Sequence, residues 1–492
     1  MTTHINPETE ALELNSPKPR SAAVEQPFNW LKQWYPISPL SYLDSTCPTP
    51  ITILGKKLVV WHHERQWTVM DDTCPHKLTQ LSLGKIQDDG TLVCRQHGWQ
   101  FDCSGQCVKI PMLADSGSSA AVYRNVRSHV STYPTQVAQE LLWVWLDCSS
   151  AAQEECQQKQ PATLPDPSEQ WTEAEWHLSD VPVGYTVSLE SSLDPSHAQF
   201  LHEGIFGFSP ATAMPMRDLE LEGEMSAEDG FMLRHGGYNA FNQGMRATRR
   251  FCPPCANMTQ YHLPTGGIQI FQLYFVPTTP GHCRYIGKFA IDTPPPAPRF
   301  NFFQWANRQL WGLLPQDVQV GLQHLGAYKL SDQDITAMHA QEQNEAADPE
   351  HRRTSFFPTP ADQGILTLRT WFKQFAEGGP ATNTLYSEGV ETTSDEQLYD
   401  RWHRHTKLCP SCRHSVDRLA NAQKLCQRLA IVSAVLGAVM LLLPILPLRV
   451  SLGCLVISIF SLLGYQGLSQ LQHRFMSSIP QQGSPKITLY AE

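Results

Sequence analysis

Short apolar, β-type runs separated by turn signals dominate the first third of the chain. The runs are "PITILGKKLVVWHH", "QWTVMDD", "TLVCRQ", "WQFDC" and "LLWVWLD", and the turns between them include "HHER", "DDG" and "SGQ". Such runs bounded by turn signals predict short strands. Entered through the aromatic anchors of "FNWLKQWYPISPL", residues 26–148 read as a small all-β domain. Residues 149–170 are polar and contain prolines, the composition of a linker. From 171 to 376 the pattern changes. Strand-like "FMLRHGGYNAF", "IQIFQLYFVP" and "CRYIGKFAI" are followed by the helical "WANRQLWGLLPQDVQVGLQHL" and "DITAMHAQEQNEAA". That mixture predicts an α+β domain built on an antiparallel sheet.

A second polar stretch at 377–400 leads into a charged helical neck that ends at 428. Two stretches without charge follow, "LAIVSAVLGAVMLLLPILPL" from Leu429 and "VSLGCLVISIFSLLGYQGL" from Val450. Each is close to the roughly 20 residues needed to cross a bilayer as a helix. Pro444, Pro447 and Arg449 supply a turn, so residues 429–470 are expected to form two transmembrane helices and 471–492 a tail. A buried core hairpin is the other reading. Lys407, Arg413, Arg418, Lys424 and Arg428 before the hairpin, and His473 and Arg474 after it, put both flanks on the cytoplasmic or stromal side. The expected fold class is therefore α+β multidomain. An all-β domain comes first, then an α+β domain with an antiparallel, helix-grip-like sheet, then a C-terminal transmembrane hairpin.

Composition narrows the chemistry. The formal net charge of −10, with no long basic run, argues against a nucleic-acid partner. Residues 1–25 are polar, carry Glu8, Glu10 and Glu13 and have no apolar signal core. They are expected to be a disordered lead, with the protein beginning where it is translated, in a reducing compartment. Its fourteen cysteines then become candidates for metal or redox work rather than for a disulfide framework.

Two mixed pairs stand out: Cys74-x-His76 in "CPHKLTQLSLG" and, seventeen residues on, Cys94-x-x-His97 in "CRQHGWQFDCSGQC". Each pair places one thiolate and one imidazole in a turn between strands. Two thiolates on one iron and two imidazoles on the other make a Rieske [2Fe–2S] centre. A Cys2His2 zinc site is the sharpest rival, but zinc fingers pair like with like in each half. Cytochrome-type Rieske proteins carry an extra cysteine in each loop, joined as a disulfide. The matching positions here hold Thr79 and Gln96, which points to the oxygenase or ferredoxin branch. Cys103 and Cys107 follow the ligands and read as small buried hydrophobes.

Farther on, "ESSLDPSHAQFLHEG" holds His197 and His202, five residues apart. Two imidazoles and a carboxylate with open positions describe a non-haem Fe(II) site that activates O2. A Rieske domain followed by such a pair resembles the Rieske non-haem iron oxygenases. That resemblance implies a downstream aspartate ligand ahead of a Gln or Glu. Asp334, with Gln341 beyond it, fits best, and Asp332 and then Asp317 are fallbacks. Ser331-x-x-Asp334 is equally a helix-capping box. The resemblance also implies a catalytic role for Asp194, hydrogen-bonding histidines at the mononuclear iron of one subunit and at the cluster of its neighbour. As a residue before Pro195 it is also a turn former.

In order, "FNWLKQWYPI", "CPH…CRQHGWQFD", "LDPSHAQFLHEG", "LSDQDITAMHAQEQ" and "DRWHRHTKLCPSC" resemble the pheophorbide a oxygenase and chlorophyllide a oxygenase-like group, in its cyanobacterial form. Ser191 departs from the asparagine common at that position. The resemblance implies a monooxygenase using O2, a ferredoxin-like electron donor and a chlorophyll-derived tetrapyrrole substrate. It also implies a homotrimer at a thylakoid or plasma membrane, with its catalytic domains facing the cytoplasm. No Gly-rich nucleotide fingerprint for a fused reductase is visible, which agrees with an external donor. Cys409 and Cys412 read as a possible redox dithiol, or as zinc ligands with His405 or His414. Cys252 and Cys255, in "CPPC", find no place in this chemistry. The competing functions are a non-catalytic redox sensor or electron carrier on a membrane complex, and an oxygenase of a non-tetrapyrrole apolar substrate.

Overall fold

The computed structural model describes residues 27–114, 119–163, 172–205, 207–264, 266–292, 309, 311–348, 355–380, 393–443 and 447–479. The polar lead, parts of both linkers, Pro444 of the turn and the end of the tail lie outside the described residues. Among the described residues the first third holds eleven short strands. Four pair in the order β2 (Thr49–Ile53), β3 (Lys56–His63), β4 (Gln66–Asp71), β9 (Thr132–Tyr133). A small sheet of β5 (Lys85–Ile86), β6 (Leu92–Val93), β7 (Gln100–Phe101) and β8 (Cys107–Lys109) carries the two Cys–His loops. A third sheet pairs β1 (Trp34–Pro39) and β10 (Thr135–Ala138) with the fully buried β11 (Leu141–Trp145).

The next unit is an antiparallel eight-stranded sheet. Its strands are β12 (Thr172–Glu173), β13 (His177–Val181), β14 (Glu220–Ser226), β15 (Gly230–Gly236), β16 (Arg246–Cys252), β17 (Ala256–His262), β18 (Ile268–Pro277) and β19 (Cys283–Asp292). From β14 to β19 the chain meanders, each strand hydrogen-bonded to the next, while β12 and β13 pair β19. One apolar core runs from the first unit into this sheet: Trp143 meets Tyr274 edge-on at 5.3 Å. The leading aromatics also reach across, Phe28 contacting Trp371 at 5.2 Å and Trp30 contacting Tyr185 at 6.0 Å. "CPPC" closes the β16–β17 hairpin, with Cys255 buried in that core.

Helices cover the sheet: α1 (Tyr185–Leu193), α2 (Ala198–Leu201), α3 (Gln316–Ala347) and α4 (Gln363–Phe375). The first expected helical stretch, from Gln316 onward, and the second are one helix, about 48 Å long at 1.5 Å per residue. Ser331 therefore caps nothing. Its hydroxyl turns back onto the Tyr328 carbonyl at 3.3 Å, the habit of serine inside a helix. A single π-helical turn, Trp402–Thr406, leads to α5 (Pro410–Leu442), which pairs with α6 (Leu448–Met476).

Both α5 and α6 are long and apolar enough to cross a membrane. Their apolar thirds face outward: Val432, Val435, Ile459 and Phe460 are all more than half exposed. Small residues line the seam between them, with Ser458 Oγ donating to the Ala430 carbonyl at 2.9 Å. The two ends of the hairpin meet. Thr406 Oγ1 donates to the Phe475 carbonyl and Arg401 Nη1 to the Arg474 carbonyl, each at 2.7 Å. The chain thus returns to the side it left.

Candidate metal centres

The two Cys–His loops are built alike. Cys74 N–H donates to the Thr79 carbonyl at 2.9 Å, and Leu78 N–H to the Cys74 carbonyl at 2.9 Å. In the second loop Cys94 N–H donates to the Trp99 carbonyl at 2.8 Å, and Gly98 N–H to the Cys94 carbonyl at 3.0 Å. The fifth position of each loop is left-handed, with φ of 59° at Leu78 and 72° at Gly98. Matched turns therefore present matched ligands. Both sulfurs are buried, Cys74 lying within hydrogen-bonding reach of Cys94, while His76 is exposed and His97 half-buried. The imidazoles sit side by side, ring centroids 4.5 Å apart, with Trp99 stacked on His76.

Burial pushes the Cys74 thiol up to about 12, a cost that a cationic metal would offset. The loops are tied across their tips by Thr79 Oγ1 donating to Gln96 Oε1, at the two positions where the cytochrome type would carry its disulfide. Cys103 and Cys107 lie beyond the loops, Cys107 buried on β8.

The second centre gathers around α1, α2 and α3. Asp194 ends α1, its Oδ1 accepting from Ser196 N at 2.9 Å and Ser196 Oγ at 2.6 Å. That turn redirects the chain so that His197 and His202 flank α2. His197 Nδ1 hydrogen-bonds the Asp194 carbonyl, leaving Nε2 free to face Asp334. His202 Nδ1 donates to Gln333 Oε1 at 3.1 Å, which likewise aims its Nε2 inward. Asp334 Oδ1 lies 3.1 Å from His202 Nε2 and 3.5 Å from His197 Nε2. It is buried and has no hydrogen-bond partner. An orphaned carboxylate oxygen between two inward-facing imidazoles is a donor set for a cation.

The structure separates Asp334 from its alternatives. Helical residues advance about 100° each, so Asp332 and Asp334 point roughly 200° apart. Asp332 is fully buried on the far side, paired with Arg401 Nη2 and Arg404 Nη2, each at 2.6 Å. Asp317 pairs with Arg418 at 2.9 Å. Gln341 is exposed and bonds Glu345, so the polar partner near the site is instead Gln333, the immediate neighbour of Asp334. Ser191 serves through its backbone, its carbonyl accepting the Asp194 N–H at 3.2 Å. Sequence reasoning also missed Arg249, buried on β16. It donates to His235 Nε2 at 3.1 Å and to the Ser192 carbonyl at 2.9 Å. Burial, then the Arg249 charge, pushes His235 down to about 4, so it stays a neutral acceptor.

Residues 33–134 match the Rieske [2Fe-2S] domain family, and residues 251–351 match the pheophorbide a oxygenase family. The chain is 30% identical over 435 residues to pheophorbide a oxygenase of Oryza sativa subsp. japonica, covering 83% of this chain and 77% of that one. It is 27% identical to flavonoid 8-hydroxylase 2 of Ocimum basilicum, covering 80% and 75%. Among solved structures, dicamba monooxygenase bound to dicamba superposes with a TM-score of 0.52 at 18% identity. That match covers 71% of this chain and 98% of that one, a likeness of fold.

Proposed function

The chain belongs to the pheophorbide a oxygenase family of Rieske non-haem iron oxygenases, and from that premise we propose a membrane-tethered monooxygenase acting on a chlorophyll-derived tetrapyrrole. The observation that carries the reading is the orphaned Asp334 Oδ1 between His197 and His202. Cys74, His76, Cys94 and His97 hold the [2Fe–2S] cluster, and His197, His202 and Asp334 hold the mononuclear iron. With both bound, the cluster supplies electrons singly and the mononuclear iron activates O2.

The protein's own part is positioning. Gln333 and the Asp194 carbonyl fix the tautomer and direction of the two imidazoles. The Asp334 carboxylate stays ionised and acts as a ligand rather than a proton donor. Asp194 links the mononuclear site to the cluster of a neighbouring subunit in a homotrimer. In support, His76 is exposed, and Leu78 beside it and Phe200 between the two histidines are apolar and exposed. The electron donor is a ferredoxin-like protein docking at that exposed edge. The tether lies in a thylakoid or plasma membrane, with the catalytic units on the cytoplasmic side. The basic flanks of α5 and α6 and the meeting of the hairpin's ends favour that orientation.

A second reading rests on the flavonoid 8-hydroxylase relative: oxygenation of another planar apolar substrate by the same site. Single-turnover reactions of the reduced, detergent-solubilised protein with pheophorbide a, chlorophyllide a, protochlorophyllide and a flavone separate the two. Oxygenated tetrapyrrole is the expected product. Turnover of the flavone alone supports the second reading, and no turnover of any of them favours a redox carrier.

A further inference from the structure

A third cluster of donors lies outside the oxygenase machinery, where the neck of the hairpin meets the catalytic unit. His324 comes from α3, His405 from the π-helical turn, Cys409 from the cap of α5 and Cys412 from its first turn. Their ligand atoms all fall within 4.8 Å of one another, and all four residues are buried. His405 and Cys412 are fully enclosed. We infer that His324, His405, Cys409 and Cys412 form a closed tetrahedral site for a structural zinc-type divalent ion.

The distances carry the inference. Zinc bonds of about 2.3 Å to sulfur and 2.0–2.1 Å to nitrogen put tetrahedral S···N edges at about 3.5 Å and the N···N edge at about 3.3 Å. Here Cys409 Sγ lies 3.6 Å and Cys412 Sγ 3.4 Å from His324 Nδ1. Cys412 Sγ lies 3.4 Å from His405 Nε2, and the two imidazole nitrogens are 3.1 Å apart. Such close packing suits a single ion. A two-sulfur, two-nitrogen tetrahedron suits zinc among the common ions.

Outer contacts orient the ligands as a metal requires. His405 Nδ1 donates to the Leu178 carbonyl on β13, which leaves the Nε2 lone pair facing the cluster. His177 stacks over His405 with centroids 4.0 Å apart and closes the site on that side. Closure on four protein ligands, with no open position, describes a structural rather than a catalytic centre. The ion would pin three pieces at one point: the catalytic sheet through His405, the membrane neck through both cysteines, and α3 through His324. On that helix Asp334 lies ten residues farther, about 15 Å along the axis. His414, the other histidine near the pair, is exposed beside Asp317 and takes no part.

The test uses the full chain in detergent, expressed with iron and zinc supplied and purified without oxygen. Metal analysis is expected to find about one zinc per chain besides iron, with two sulfur and two nitrogen neighbours by X-ray absorption at the zinc edge. His324→Ala and Cys412→Ser should each lower zinc to about a tenth or less at unchanged iron. Cys94→Ser, which alters the other Cys–His quartet, should keep its zinc. If the neck variants fail to fold, the wild-type absorption spectrum and Cys94→Ser decide alone. Zinc absent from the wild type, zinc bound through oxygen, zinc lost in Cys94→Ser, or a Cys409–Cys412 disulfide in its place overturns the assignment. None of these readouts depends on oxygenase activity, so this inference and the proposed function can fail separately.

Discussion

Leu78 and Gly98 occupy the same place in two matched loops, both left-handed, yet only glycine adopts that conformation without steric cost. Leu78 is also 73% exposed, so its side chain gains nothing from burial within this chain. Leu78→Gly should therefore stabilise the loop by about 1 kcal/mol, read as a higher midpoint for thermal loss of cluster absorbance. A docking role predicts that the same variant loses affinity for its donor or its neighbouring subunit. At the second centre, Gln333→Ala removes the acceptor that orients His202 without touching a ligand. Iron affinity at that site should fall about 10–100-fold by titration, with the cluster signal unchanged. The Cys–His pairs and His197/His202 stood out in the sequence because their spacings are short, whereas Asp334 was proposed only through the family resemblance. Gln333 and Arg249 did not stand out, because their roles depend on which way a helix or strand turns them.

At the scale of elements, α3 joins three tasks in successive residues. Asp332 holds the neck, Gln333 orients His202 and Asp334 faces the two imidazoles. The sequence put a helix start at Ser331 because Ser-x-x-Asp mimics a capping box. Nothing local revealed that residues 326–330 continue the helix that begins at Gln316, packed against α5. There Gly321 permits the approach, since a Cβ would meet Ser415 Oγ at 2.3 Å. Strands and the two long apolar helices were readable from composition and length, whereas the join between the two helical stretches was tertiary. Burial opposes the charge on Asp332, but Arg404 and Arg401 outweigh it and hold the carboxyl below its usual range. A folded-state pKa below the unfolded value adds stability that is complete above the unfolded value, about 3.9, and is lost as pH falls through the folded one. Acid unfolding of the neck should thus begin below about pH 4. Asp332→Ala should remove that acid dependence and cost about 3–5 kcal/mol, because two buried guanidinium groups lose their partner.

For the whole molecule, the hairpin is more than an anchor. The end of its second helix and the residues just after it complete the neck: Phe475, in the last turn of α6, is buried there, and Ser478 Oγ donates to Asp332. Truncation before Pro410 should therefore release the protein from membranes and also lower its melting temperature, whereas a soluble helical hairpin grafted at 429–470 should restore the second property alone. The central claim is that one chain carries a mononuclear iron at His197, His202 and Asp334 beside a [2Fe–2S] cluster. Iron counting on wild type and Asp334→Ala, with the cluster followed by electron paramagnetic resonance, tests it most directly. The account predicts about three irons per chain in the wild type and about two in the variant, at equal cluster signal. About two irons in both proteins, or about three in both, would contradict it.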